Sequence, residues 1–206
     1  MTNRLRVIAF LAIPLLSVAG LLFAQETINE PSTGKAFPVK ISFTSGGTEY
    51  AMRLTGMAVR KKFVFKVYGM GHYMQEPPVG EGEAAFKAIL TDGKAKQITM
   101  IFVRDVDAGS IQNAYRDGFK ENSTKEELKT IQPFIDKFLG AFTGGVKEND
   151  VFILRWLPGG TIIPIIQGQE KEAVSNPTFA RILWSIWFGG DSIVDRDDLV
   201  SRLAAK

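Results

Sequence analysis

The sequence predicts an α+β fold in which an antiparallel sheet is covered by helices on one face. Three observations carry this reading. Strand-like runs follow one another from Val39 to Met74, helical periods come next, and a second hairpin at Val151–Gln167 precedes two further helices. Strands and helices grouped in this way argue against a doubly wound parallel fold, where they would alternate.

Taken in order, residues 1–24 divide into a basic start with Arg4 and Arg6, an apolar run from Val7 to Phe23, and the small residue Ala24 before Gln25-Glu26. That layout is a secretory signal peptide, with cleavage expected after Ala24 and the mature chain expected in the periplasm or otherwise exported. A retained N-terminal anchor is the alternative, although the run is shorter than the ~20 residues a bilayer core needs. No later stretch is as long without charge, so no membrane span is expected after cleavage.

Residues 25–37 are polar with Pro and Gly and read as a flexible leader, leaving 38–206 as one domain. Val39 to Phe43 alternates apolar with polar residues and turns at Gly46-Gly47. Tyr50 to Val59 continues as strand, Arg60-Lys61-Lys62 reads as a charged corner, and Phe63 to Met74 as a long third strand. After Pro77 to Gly82, the residues Ala84 to Leu90 support a short helix ended by Asp92-Gly93. Ile98 to Val103 is apolar enough for a central strand. Asp107 is placed to cap a helix reaching Glu121, with Ile111, Ala114, Tyr115 and Phe119 on one face.

Ser123-Thr124 before Glu126-Glu127 announces another helix through Leu128, Ile131, Ile135, Phe138 and Leu139, which Pro133 bends or begins. Val151–Leu157 and Thr161–Gln167 pair across Pro158-Gly159-Gly160. Asn176-Pro177 opens an apolar helix ended by Gly189-Gly190. An amphipathic helix is expected from Asp195 to Ala204.

Composition removes several function classes. No cysteine means no disulfide, no thiolate nucleophile and no cysteine zinc site. One histidine, His72, excludes a histidine-rich metal centre. Asp105, Asp107, Asp195, Asp197 and Asp198 match no metal-ligand loop and read as helix-start carboxylates. No metal or cofactor is expected. With 25 basic and 22 acidic residues the charge is nearly balanced, and the Arg60-Lys61-Lys62 run is too short for a nucleic-acid patch. The oligomeric state stays open.

Two segments carry a resemblance. Leu54 to Met74 contains Gly-x-x-x-Arg leading into Phe-Lys-Val-Tyr and ending in Gly-x-Tyr, and Phe179 to Asp191 is a Trp/Phe-rich helix closing on Gly. In this order the chain resembles the chalcone isomerase-like family, in particular its exported bacterial branch. The resemblance implies an open-faced β-sandwich, a large antiparallel sheet with a layer of helices on one face and a ligand cleft between them. The family holds plant enzymes that close chalcones to flavanones, members without that activity, and fatty-acid binders, so fold alone does not set function.

What the resemblance implies for the site is specific. Arg60 stands where the family places the strand arginine of its cleft, suited to a phenolate or a carboxylate; its alternative is a solvated charge at the turn. Tyr68 stands where the plant enzymes use a catalytic threonine and fatty-acid binders a tyrosine; its alternative is a sheet tyrosine satisfied by backbone. The plant enzymes' tyrosine falls near Gly109 or Ser110, their asparagine near Arg116 or Asp117, and their late-helix hydroxyl at Ile186, beside Ser185. None of the first three positions carries the required type. The spacing from Arg60 to Tyr68 is also shorter than in the plant enzymes, which points the arginine to the hairpin corner as an alternative to the cleft.

His72 shares the strand face of Tyr68, Met70 and Met74 and is a candidate acid–base group or a packed core residue. Trp184 and Trp187 line an apolar slot or belong to the core. The expected function is a non-catalytic binder of a small amphipathic molecule such as a fatty acid, with Arg60, Tyr68, His72, Trp184 and Trp187 as ligand residues. One rival is an isomerase or intramolecular lyase using Arg60, Tyr68 or His72. The other is a partner-binding scaffold without a cleft.

Overall fold

The computed structural model describes residues 25–203. These residues fold as a curled antiparallel sheet of eight strands with four helices, an α+β architecture. The sheet strands are β3 (Lys40–Ser45), β4 (Thr48–Lys62), β5 (Phe65–Met74), β6 (Lys96–Phe102), β7 (Val151–Leu157), β8 (Thr161–Ile166), β9 (Gln169–Glu170) and β10 (Val174–Ser175), preceded by a separate pair, β1 (Thr27–Asn29) and β2 (Ala36–Pro38). Their order across the sheet is β10-β8-β7-β6-β5-β4-β3, with β9 also on β8. The helices are α1 (Glu83–Leu90), α2 (Ala108–Glu121), α3 (Lys125–Leu139) and α4 (Pro177–Phe188).

Local chemistry accounts for the helix boundaries. Asp107 caps α2 by accepting from the Ser110 N–H at 2.8 Å. Thr124 and Glu127 form a reciprocal capping box on α3, and Asn176 accepts from the Phe179 N–H at 2.8 Å with Pro177 in the first turn of α4. The capping box starts α3 at Lys125, and Pro133 lies within the helix instead of beginning it.

Even residues of β5 face the helices. Tyr68, Met70 and Met74 join α2, α3 and α4 in the main core, whereas Tyr73 packs outward with Phe37, Met52, Leu54 and Ala95. Two bulges modify this alternation. Thr55 is the extra residue where Leu54 pairs with Tyr73 and Gly56 with His72; Val67 is the extra one where Arg60 pairs with Tyr68 and Lys61 with Lys66. A bulge bends the strand and re-aims its side chains.

Three expectations are corrected. The segment read as a flexible leader forms the β1–β2 pair, and its Phe37 is buried on the outer sheet face. Gly71 is what admits it, since a Cβ there would come within 2.9 Å of the Phe37 ring. The charged corner at Arg60-Lys61-Lys62 is strand: β4 runs through Lys62, which pairs with Phe65, and the turn is Phe63-Val64.

The helix expected over 195–204 is a single 3₁₀ turn, Asp198–Val200; Ala204 lies outside the described residues. Its apolar residues do pack: Leu199, Val200 and Leu203 are buried. The backbone instead docks on the Thr55 bulge, where the Thr55 hydroxyl donates to the Leu199 carbonyl at 2.8 Å and the Arg202 N–H to the Thr55 carbonyl at 2.8 Å. These tertiary bonds replace those a helix would have made. Residues 1–24, read as a signal peptide, lie outside the described residues.

Candidate ligand cleft

The helix-facing side of the sheet consists of cross-strand rows. One end row is Arg60, Tyr68 and Phe102; next comes Ala58, Met70, Met100 and Phe152; then Gly56, His72, Ile98 and Leu154. Over the first two rows the helix layer stands away, leaving a cavity of about 550 Å³. Its walls are Tyr68, Met100, Phe102 and Phe152 from the sheet, Ile111 and Tyr115 from α2, and Ile186 and Trp187 from α4. α2 and α4 close its back tightly, because Gly118 lacks the Cβ that would stand 2.8 Å from the Ile186 side chain. The volume lies within the about 300–1,000 Å³ usual for small-molecule sites.

Two polar groups stand together in this mostly apolar space. Arg60 and Tyr68 are direct cross-strand partners, so their side chains project from the same face. The Val67 bulge sits beside them, which places both Val67 and Tyr68 on the cavity wall. Of the two places open to Arg60, the cleft is therefore the one it occupies.

Its Nη1 donates to the Ile193 carbonyl at 2.9 Å, and no carboxylate pairs with it among the described residues. The Trp187 indole N–H donates to the Tyr68 oxygen at 3.1 Å. That bond occupies a lone pair and leaves the phenol proton free to donate elsewhere. Burial pushes the Tyr68 pKa up to about 12, against smaller opposing effects of Trp187 and Arg60. Tyr68 is accordingly a neutral donor near pH 7.

The rim is mixed in charge. Lys62, Phe63 and Phe65 of the β4–β5 hairpin and Arg104 after β6 line it together with Asp105 and Asp107 before α2 and Asp117 and Glu121 on α2. Asp105 is paired with Lys147 at 2.7 Å and Asp107 is engaged as the α2 cap. The arrangement can hold an anionic oxygen between a guanidinium and a phenol, with an apolar remainder among aromatic and aliphatic walls.

The remaining site candidates lie elsewhere. His72 is fully buried one row deeper and does not line the cavity. Trp184 is likewise sealed in the core, where its N–H donates to His72 Nε2 at 3.3 Å. His72 Nδ1 meets the Thr55 hydroxyl at 2.7 Å, and its ring packs edge-on against Phe188 at 4.6 Å. Burial, helped by the Lys96 charge, holds the His72 pKa well below its ordinary value. Both residues thus follow the core reading left open for them.

Of the aromatic cavity-wall residues that are not ligand candidates from the sequence, Tyr115 is the one with a hydroxyl. It stacks edge-on toward Trp187, and its pKa is raised well above the usual value by burial and then by Tyr68. Its place on the apolar face of α2, beside Ile111, was the available signal.

No curated protein sequence matches the chain. Among solved structures, a fatty-acid binding protein of Arabidopsis thaliana superposes with a TM-score of 0.67 at 18% identity, over 85% of this chain and 96% of the plant one. At that identity the likeness speaks for the fold. The family model described as chalcone isomerase-like matches residues 33–199, nearly the whole described chain, and the protein therefore belongs to the chalcone isomerase-like family.

Proposed function

We propose that this protein is an exported, non-catalytic binder of a small amphipathic acid, such as a fatty acid, whose carboxylate sits at Arg60 and Tyr68 and whose tail lies among Met100, Phe102, Phe152, Ile111 and Ile186. The observation that carries the reading is the half-satisfied pair at the cavity. Arg60 has no carboxylate partner among the described residues, and Tyr68 already accepts from Trp187, so its proton is left to donate. A carboxylate is the group that satisfies both at once. The fatty-acid binding relative in structure adds support, as does the basic, apolar and small-residue layout of residues 1–24 for a periplasmic location.

Proton transfer is less well served. A catalytic base works best with a pKa near the operating pH. Tyr68 is pushed far above neutrality, and His72 is walled off from the cavity. The polar positions used by the plant enzymes are also differently occupied, with Ile186 forming part of the apolar wall.

The test is native mass spectrometry of mature protein purified from the periplasm, with organic extraction of whatever travels with it. A stoichiometric amphipathic acid, lost in Arg60→Ala, is the expected outcome. An empty protein that also ignores added fatty acids would sink the reading.

A further inference from the structure

The β4–β5 hairpin ends in an apolar tip that the fold leaves exposed. Phe63, Val64 and Phe65 are 88%, 85% and 58% exposed, and only Val79 joins them as a large exposed hydrophobic among the described residues. Consecutive exposed residues of this kind form a patch, unlike a lone surface valine. The turn itself is costly for this sequence. Phe63 has φ +55°, uncommon for a bulky residue, at the first position of a two-residue loop that favours glycine.

Cations surround the tip on both faces of the hairpin. Arg60 and Lys62 belong to the cavity side, Lys61 and Lys66 alternate to the other, and Arg104 lies over the Phe65 ring at 5.1 Å. None of these five takes part in an ion pair among the described residues. Asp105, Asp107, Asp117 and Glu121 belong to α2 and the loop before it and not to the hairpin, and Asp105 is paired with Lys147.

We propose that this tip docks the protein on an anionic lipid bilayer, with Phe63, Val64 and Phe65 entering the interface and Lys61, Lys62, Lys66 and Arg104 meeting lipid phosphates. Apolar side chains that insert and a cationic collar that stays at the headgroups are the two components of interfacial binding. The collar favours a bilayer over an apolar partner surface, which would leave these charges unmatched. Lys62, Phe63, Phe65 and Arg104 also line the cavity, so docking brings the hairpin edge of the opening to the membrane, where amphipathic acids partition. The proposal goes beyond the ligand reading, since tip insertion does not depend on what fills the cavity.

The test is vesicle flotation of the mature chain, using phosphatidylcholine alone or mixed equally with phosphatidylglycerol. Wild type is expected to float with the anionic vesicles, weakly with the neutral ones, and less as salt rises. Phe63→Gly with Val64→Ser suits the turn and should fold at least as well, yet bind roughly tenfold or more weakly. Lys61→Glu with Lys66→Glu is expected to lose the anionic preference.

Tyr68→Phe, which keeps every charge, separates the two proposals: it should weaken acid binding while flotation persists. Equal flotation of the tip variant and wild type would overturn docking. So would failure to float combined with a concentration-dependent association that the tip variant abolishes, which would make the tip a contact between two copies.

Discussion

The two ends of one sheet face are built from similar parts and come out differently. At each end a tryptophan of α4 donates its indole N–H to a polar side chain of β5: Trp187 to Tyr68 and Trp184 to His72. Around His72 every bond is closed. With Nε2 accepting from Trp184, Nδ1 carries the proton and donates to Thr55, whose hydroxyl passes on to the Leu199 carbonyl. Around Tyr68 the sequence of bonds stops at the phenol, beside a guanidinium with no carboxylate partner among the described residues and an open cavity. A buried polar group with complete partners holds a fold together, and one with a donor to spare is a place for a ligand.

Substitutions that exchange or remove these parts should sharpen the contrast. The largest effect is expected from Trp184→Ala, which opens a void in the closed end: a loss of about 3–5 kcal/mol in urea unfolding. Arg60→Ala should barely change unfolding, yet weaken binding of a fatty acid by roughly 10- to 100-fold in titration calorimetry, the range of a charged hydrogen bond.

Acid should weaken the closed end through His72, which is held neutral when folded but takes a proton near pH 6.5 when unfolded. The unfolded chain then binds more protons, so this contribution is complete above pH 6.5 and declines below it, by at most about 1.4 kcal/mol per pH unit. Wild type compared with His72→Gln across that window checks the slope; equal slopes would contradict it. Tyr68→Phe should have the smallest effect, weakening acid binding by roughly 2- to 10-fold through loss of one neutral donor.

Much of this was legible in the sequence because local chemistry agreed with the tertiary outcome. The caps at Asp107, Thr124 and Asn176 appear where the side chains announced them. The antiparallel strands followed from alternation and turn residues. What was not legible depended on distant partners. The leader gave no strand signal because β1–β2 is held by Phe37 seated over Gly71. The last helix did not form because its backbone found Thr55.

The hairpin corner was displaced because Phe63-Val64 has none of the turn residues that sequence reading relies on. At the site, alternation put Tyr68 and His72 on one face correctly but carried no information about depth, and only the position of α2 and α4 separates a wall residue from a sealed one. The Val67 bulge, which brings Arg60 opposite Tyr68 despite their short spacing, has no sequence signature.

The most direct test compares a long-chain fatty acid with its methyl ester by titration calorimetry on wild type and Arg60→Ala. One-to-one binding of the acid to wild type, much weaker binding of the ester, and near-equal weak binding of both to the variant are expected. An ester that binds wild type as tightly as the acid would show that the pocket reads only the tail, and would contradict the role assigned to Arg60 and Tyr68.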